Sequence, residues 1–294
     1  MSKLHVCLIC HTEGDANAFE VGVPAMLRIR EEVEQTTGKS CTLTWALGTF
    51  HATNQQPVFD EYRSLFLDLA ARGDEIGLHP HGVVENRRWT VDPFVAEDAR
   101  RLCAAGFARP KTFVAGVWAF YPSTLAILEK QGFQVDASVV AGPTRQRKED
   151  DNGYVLYDYP PSEALADAYP FAVPYRLSRD SVVRRGDSTI IEVPVSTGIT
   201  ELAPKDGKSI VVERYNLQRE RVSTSRMEVF EFFYHPYELL SSYDSRDEDP
   251  RMIGLLTQFL VEAGSNAAVR LSSVYDAAMD WVLNTESRAA TSEP

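Results

Sequence analysis

The strongest constraint on this chain is an alternation repeated along most of its length: a short apolar run, a turn, an amphipathic stretch, then another apolar run. Residues 4–10, 41–47, 75–78, 112–115, 133–140, 189–195 and 228–234 read as strands. Residues 24–35, 59–72, 93–105, 122–131, 250–263 and 273–283 read as helices, several opening on Pro and stopping at Gly73, Gly106 or Gly132. Strands alternating with helices favour a mainly parallel sheet wrapped by helices. In 294 residues, six or seven such units leave little over, so residues 1–284 are expected to form a single barrel-like domain. Residues 141–188, rich in Pro, Tyr, Asp and Arg, read as a long excursion carrying short strands. Residues 285–294 read as a polar, frayed tail.

Composition narrows the partners. A net charge of -12 disfavours nucleic acid or an anionic membrane surface. No apolar run approaches the roughly 20 residues that span a bilayer. The first residues read as a strand and not as a signal peptide, so a cytoplasmic protein is expected, with a small molecule or carbohydrate as partner. Oligomeric state has no signal in the sequence. Cys7 and Cys10 form a C-x-x-C, but residues three apart on a strand point to opposite faces and cannot share one metal. No second pair exists to complete a zinc ribbon, so these cysteines read as buried structure.

In a barrel of parallel strands the chemistry sits where strands end. Four of the six histidines lie at such points: His11 in His11-Thr12-Glu13-Gly14-Asp15, His79 and His81 in His79-Pro80-His81, and His235 in His235-Pro236. Pro80 holds the residue before it out of the helical region, so His79 and His81 lie in extended chain and face the same side. Two imidazoles and a carboxylate on one face make a common ligand set for zinc, with cobalt, nickel or manganese as alternatives. Glu13 or Asp15 supplies the carboxylate, and the other group is free to hold or deprotonate water, whose pKa a divalent ion brings down to about 7. His235 follows an apolar strand and is either a core residue or a proton donor to a leaving group.

Taken in order, these motifs are familiar. His-Thr-Glu-Gly-Asp, then Asp-Glu-Ile-Gly-Leu-His-Pro-His, Phe-Val-Ala-Gly-Val-Trp-Ala-Phe-Tyr-Pro-Ser-Thr-Leu, Gly-Phe-Gln-Val-Asp-Ala-Ser-Val, Ile-Ile-Glu-Val-Pro-Val-Ser and Phe-Tyr-His-Pro-Tyr-Glu-Leu together resemble the polysaccharide deacetylase (NodB-homology, carbohydrate esterase) family. The resemblance implies a distorted (β/α) barrel of about seven strands. It also implies a metal-dependent enzyme that removes acyl groups from N-acetylated sugars. Carried over, Glu13 or Asp15 is the metal carboxylate, His79 and His81 are the histidine ligands, His235 is the general acid, and Trp118 belongs to a groove wall where it stacks on a sugar or packs over the barrel end.

Two positions depart from the family pattern. The aspartate base of the first motif is His11, and the arginine that orients it in the third motif is Val114. The two changes go together, because the arginine's partner is the missing aspartate and a neutral imidazole needs no cation beside it. His11 is then a replacement base or a third imidazole ligand. Alternatively, Glu13 is the base and Asp15 the ligand, or deacetylation is lost and the barrel binds carbohydrate or metal silently.

Overall fold

The structure, a computed structural model, describes residues 4–13, 16–49, 56–140, 142–163, 173–222 and 227–291. The central strands are β1 (Leu4–Thr12), β2 (Thr44–Thr49), β3 (Glu75–Pro80), β6 (Thr112–Phe113), β7 (Val135–Asp136), β12 (Ile191–Glu192), β13 (Thr197–Gly198) and β14 (Glu228–Tyr234). Around them lie α1 (Val23–Thr37), α2 (Gln56–Ala71), α3 (Asp92–Ala104), α4 (Pro122–Gln131), α5 (Ile210–Val222), α6 (Pro250–Ser265) and α7 (Val274–Thr291).

The strands run parallel in the order β12-β7-β6-β3-β2-β1-β14-β13. One stretch of chain joins the two ends of that order. Residues 191–193 bond to β7 through Ile191 N to Gln134 O and Val193 N to Asp136 O. A few residues on, Ser196 N donates to Glu231 O and Thr197 lies opposite Phe232. The segment 191–198 therefore serves as the seventh stave and closes the ring between β7 and β14. The fold is an α/β barrel, as the alternation predicts.

Each stave alternates sides. On β1, Leu4, Val6, Leu8 and Cys10 pack into the large core beneath the helices, whereas Cys7 and Ile9 join the small interior cluster with Ala46, Val114, Ala137 and Val193. Cys7 and Cys10 thus face opposite ways, and both are free. The start of α7 closes the barrel at the strand N-termini: His5 Nδ1 meets Ser272 Oγ at 2.8 Å, Val274 N donates to Thr44 Oγ1 and Tyr275 N to Glu75 Oε2. The opposite, C-terminal rim is left for chemistry.

The loop after β3 and the excursion of residues 141–188 together carry two additions. Strands β4 (Val83–Glu85), β5 (Arg88–Thr90), β8 (Gln146–Glu149) and β9 (Val155–Tyr159) make a separate four-stranded sheet. The hairpin of β10 (Tyr175–Ser178) and β11 (Ser181–Arg185) extends the main sheet from β12. The β4–β5 hairpin has no sequence expectation, and neither does α5 nor the strand β15 (Val269–Leu271), which takes the edge of β1 below the point where β2 begins. The last helix also runs to Thr291, beyond the expected end at Leu283.

Candidate active site

β1 continues past Cys10 because His11 and Thr12 still pair with Ala46 and Leu47 of β2. Thr12 Oγ1 donates to Ala46 O at 2.6 Å and accepts from Gly48 N at 3.2 Å, pinning the strand end. Glu13 N then donates back to His11 O at 2.8 Å, and this tight turn folds the Glu13 side chain over the barrel mouth. β3 likewise runs through His79 to Pro80 before His81 leaves the sheet. On β14 the chain exits at His235, which opens a short 3₁₀ turn over Pro236–Leu239.

Two glycines permit this crowding. A Cβ on Gly116 would lie 2.6 Å from Pro80 O and 2.9 Å from His81 Cα, both rigid backbone. Gly116→Ala is therefore expected to destabilise the fold by ~1–3 kcal/mol, read from the urea midpoint. An unchanged midpoint would mean that the wall moves away freely. A Cβ on Gly22 would lie 2.1 Å from Pro236 O, so the turn ahead of α1 is pressed against the His235 loop.

One carboxylate holds the centre. Glu13 Oε1 lies 2.9 Å from His235 Nε2, and Oε2 lies 3.7 Å from His79 Nε2 and in contact with His81 Nε2. One donor atom from each of Glu13, His79 and His81 falls within 4.8 Å of the others, the spacing of a single bound ion. Buried Glu13 Oε2 and His81 Nε2 lack a hydrogen bond of normal geometry. His79 Nδ1 sits 3.1 Å from Val114 O, which makes Nδ1 the protonated nitrogen and leaves the Nε2 lone pair aimed at the cluster. The pattern fits a cation: two imidazole donors, one carboxylate, and an outer acceptor fixing a tautomer.

The charges agree. Burial works to raise the Glu13 pKa, but contacts with His235, His79 and His81 outweigh it and hold the carboxyl well below its usual range. For His79 burial wins over the Glu13 contact and lowers the pKa, keeping the ring neutral. His235 goes the other way: burial would lower its pKa, but Glu13 and Glu238 together push it up to about 9. His235 is therefore a protonated imidazolium at neutral pH, held on two sides by carboxylates.

His11 lies beneath this cluster with 2% of its surface exposed. Its ring stacks between His79 (4.5 Å, 25°) and Phe233 (4.9 Å, 10°), with Trp118 and His235 each edge-on at 5.2 Å. Its Nε2 has no hydrogen-bond partner. Burial first, and the other histidines second, lower its pKa well below 6.5, so this imidazole is neutral. Val114, at the position of the family arginine, points into the apolar interior and puts no cation near it.

Trp118 is half-buried at the rim, 5.0 Å from Phe233 and 71° to it. It arrives there through strained backbone: Val117 and Trp118 both adopt left-handed φ, 50° and 59°, which is rare for a β-branched residue. Tyr159 holds the turn by donating from its hydroxyl to Trp118 O at 2.7 Å.

The structure thus brings His11, Glu13, His79, His81, His235 and Trp118 into one cluster at the C-terminal rim. Asp15 lies outside the described residues. Sequence reasoning missed Glu238, whose Oε2 accepts from His235 N at 2.7 Å and lies 3.3 Å from His235 Nδ1. Its signal was legible: an acid three residues after the first residue of a turn is the spacing of a capping box.

Comparison by sequence finds no matching family model and no matching curated protein. Comparison of structures is informative about the class of fold. A candidate glycoside hydrolase/deacetylase from Parabacteroides distasonis superposes with a TM-score of 0.63 at 12% identity, covering 95% of this chain and 70% of that one. A candidate polysaccharide deacetylase from Mycobacterium smegmatis gives 0.54 at 16% identity, covering 100% and 93%. A 4-alpha-glucanotransferase from Thermococcus litoralis gives 0.56 at 13% identity, covering 94% of this chain but 40% of that one. The motif resemblance to polysaccharide deacetylases therefore extends to the fold. A similar fold also forms part of a glucanotransferase, so the chemistry has to be argued from the residues at the rim.

Proposed function

We propose that this chain is a metal-dependent hydrolase that removes an acyl group, most simply acetyl, from an N-acetylated sugar or related small amide. The observation that carries the reading is the triad of Glu13, His79 and His81 donors within 4.8 Å, with His235 on the far oxygen of the same carboxylate. Of the alternatives open in the sequence, this geometry favours Glu13 as the carboxylate ligand beside His79 and His81. Zinc suits two imidazoles and one carboxylate best, ahead of cobalt, nickel or manganese. When bound, such an ion supplies the Lewis acidity that makes water a competent nucleophile near neutral pH.

The chain's own residues then divide the proton work. Water adds its oxygen to the carbonyl carbon, the C–N bond breaks, and acetate and a free amine result. The water's proton is assigned to His11 by its place beneath the cluster, in ring contact with His79 and His235. His235, already protonated, delivers a proton to the departing nitrogen. Glu238 accepts from the His235 backbone N–H and its Oε2 lies 3.3 Å from Nδ1, a charge contact that favours Nε2 facing the centre. Glu238→Gln is expected to lower kcat ~10–100-fold with bound metal unchanged, since it touches no ligand; a loss of metal would assign it a different role.

The deciding experiment measures bound metal on purified protein and acetate release from N-acetylated mono- and oligosaccharides. One divalent ion per chain with acetate release supports the hydrolase. The same metal content with no release from any substrate supports the second reading, a barrel that binds carbohydrate without turnover, which the apolar Val114 motivates. No helix among the described residues is long and apolar enough to cross a membrane, and a cytoplasmic place for this reaction remains part of the proposal.

A further inference from the structure

One peptide group behind the cluster is held from both sides. Its carbonyl, on Val114, accepts from His79 Nδ1 at 3.1 Å, and its N–H, on Ala115, donates to Ser138 Oγ at 2.8 Å. Ser138 Oγ in turn donates to Asp136 Oδ1 at 2.6 Å. Ser138 N also donates to Asp136 Oδ2 at 3.3 Å, which fixes the carboxyl against the hydroxyl. The run crosses three neighbouring staves, from the end of β7 past the end of β6 to β3. Every member is buried: Asp136, Ser138 and Val114 completely, Ala115 and His79 to within 2%.

Asp136 itself faces away from the barrel interior. Val135 and Ala137 belong to the interior cluster, so Asp136 and Ser138 turn to the helix side of the stave. Ser138 Oγ already satisfies the Ala115 N–H, and a carboxyl buried for packing alone is costly. Burial pushes the Asp136 pKa up to about 6, and Glu192, opposite it on β12, goes well above the usual carboxylate range, also by burial. At neutral pH Asp136 therefore carries the charge of the pair. A charged acceptor strengthens the hydrogen bonds that follow it in a series. The hydroxyl oxygen accepts better from Ala115 N–H, the Val114 carbonyl becomes more negative, and the His79 Nδ1 proton is held more firmly. The Nε2 lone pair, aimed at the cluster, gains basicity.

We propose that Asp136 and Ser138 are positioning residues for His79, acting through the Val114–Ala115 peptide to fix its tautomer and strengthen its grip on a cation. A histidine ligand commonly donates its second N–H straight to a carboxylate or a carbonyl; here a hydroxyl and a peptide stand between the two. The inference rests on the metal site of the hydrolase reading and deepens it.

The test measures Zn²⁺ affinity, by competition with a chromophoric chelator, for wild type, Ser138→Ala, Asp136→Asn and the double variant. Nitrogen-15 NMR of the metal-free proteins reads the His79 Nδ1 proton, and urea midpoints in chelator show which variants are folded. Each single variant is expected to bind zinc about tenfold more weakly. The double variant binds no more weakly than Ser138→Ala, because the links act in series. The His79 Nδ1 proton moves upfield in all three as its hydrogen bond weakens. Should Asp136→Asn not fold, Ser138→Ala, smaller by one oxygen, carries the test. Wild-type affinity in the folded variants, or losses that add in the double variant, overturn the relay. If the wild type binds no divalent ion, the hydrolase reading falls and the His79 proton alone decides: a shift in Ser138→Ala sustains the relay, and no shift overturns it.

Discussion

His79→Ala is expected to lose bound metal by at least about a hundredfold in affinity, while His235→Ala keeps one ion per chain and loses about 10²–10⁴ in kcat. The two residues touch the same carboxylate from opposite sides, so the contrast is sharp. His79 is nearly buried, with its Nδ1 fixed on Val114 O, and its Nε2 is one of the triad's three donors. Removing it leaves one imidazole and one carboxylate, too few to hold a hydrolytic ion firmly. His235 lies on Glu13 Oε1 instead, outside the triad, and its imidazolium form suits a donor of protons. Metal analysis after dialysis against a weak chelator reads the first effect, and steady-state kinetics the second. Full metal in His79→Ala would remove it from the ligand set, and equal metal loss in both variants would make His235 a ligand.

Glu231→Met is expected to stabilise the metal-free protein at pH 8 by ~1–4 kcal/mol. Glu231 projects into the barrel two positions below Phe233 on β14, opposite Cys7 of β1, and is fully buried with neither carboxylate oxygen hydrogen-bonded. Burial raises its pKa well above the usual 4.5. Above pH 4.5 the unfolded chain therefore releases a proton that the folded chain retains. Folding binds a proton there, and stability falls as pH rises from 4.5 toward the folded value. Methionine has similar length and no charge, so the advantage of the variant should be small near pH 4 and grow steadily above it. Chemical denaturation of both proteins at several pH values, in chelator, measures this difference. A variant less stable than wild type at pH 8 would show that Glu231 has a partner worth more than its burial costs.

The same interior shows why some features were readable and others were not. β14 was legible to its boundaries because five of the seven residues in Glu228–Tyr234 are apolar, and α4 because Pro122 and the left-handed Gly132 punctuate it. α5 escaped notice although Val211, Tyr215, Gln218 and Val222 bury one face at helical spacing. Its opening Ile-Val-Val favours strand, and its charges interrupt the stripe. β6, β7 and β12 fall inside apolar runs that read as strands, although each keeps only two residues of the run, whereas β13 is too short for any local pattern and only its neighbour across the ring defines it.

The sequence by itself determined the alternation of strands and helices, the opposed faces of Cys7 and Cys10, and the gathering of His11, Glu13, His79, His81 and His235 at strand ends. All of these follow from the two-residue period of extended chain and from punctuation by Pro and Gly, which act over a few residues. Only the tertiary structure decided that residues 191–198 close the ring, that one Glu13 carboxylate meets three imidazoles, that Glu238 holds the third of them, and that Asp136 and Ser138 stand behind His79. Those arrangements join segments up to more than 200 residues apart, His235 to Glu13 among them. Pairing across such distances is set by how the staves and helices pack together, and no local run of residues carries it.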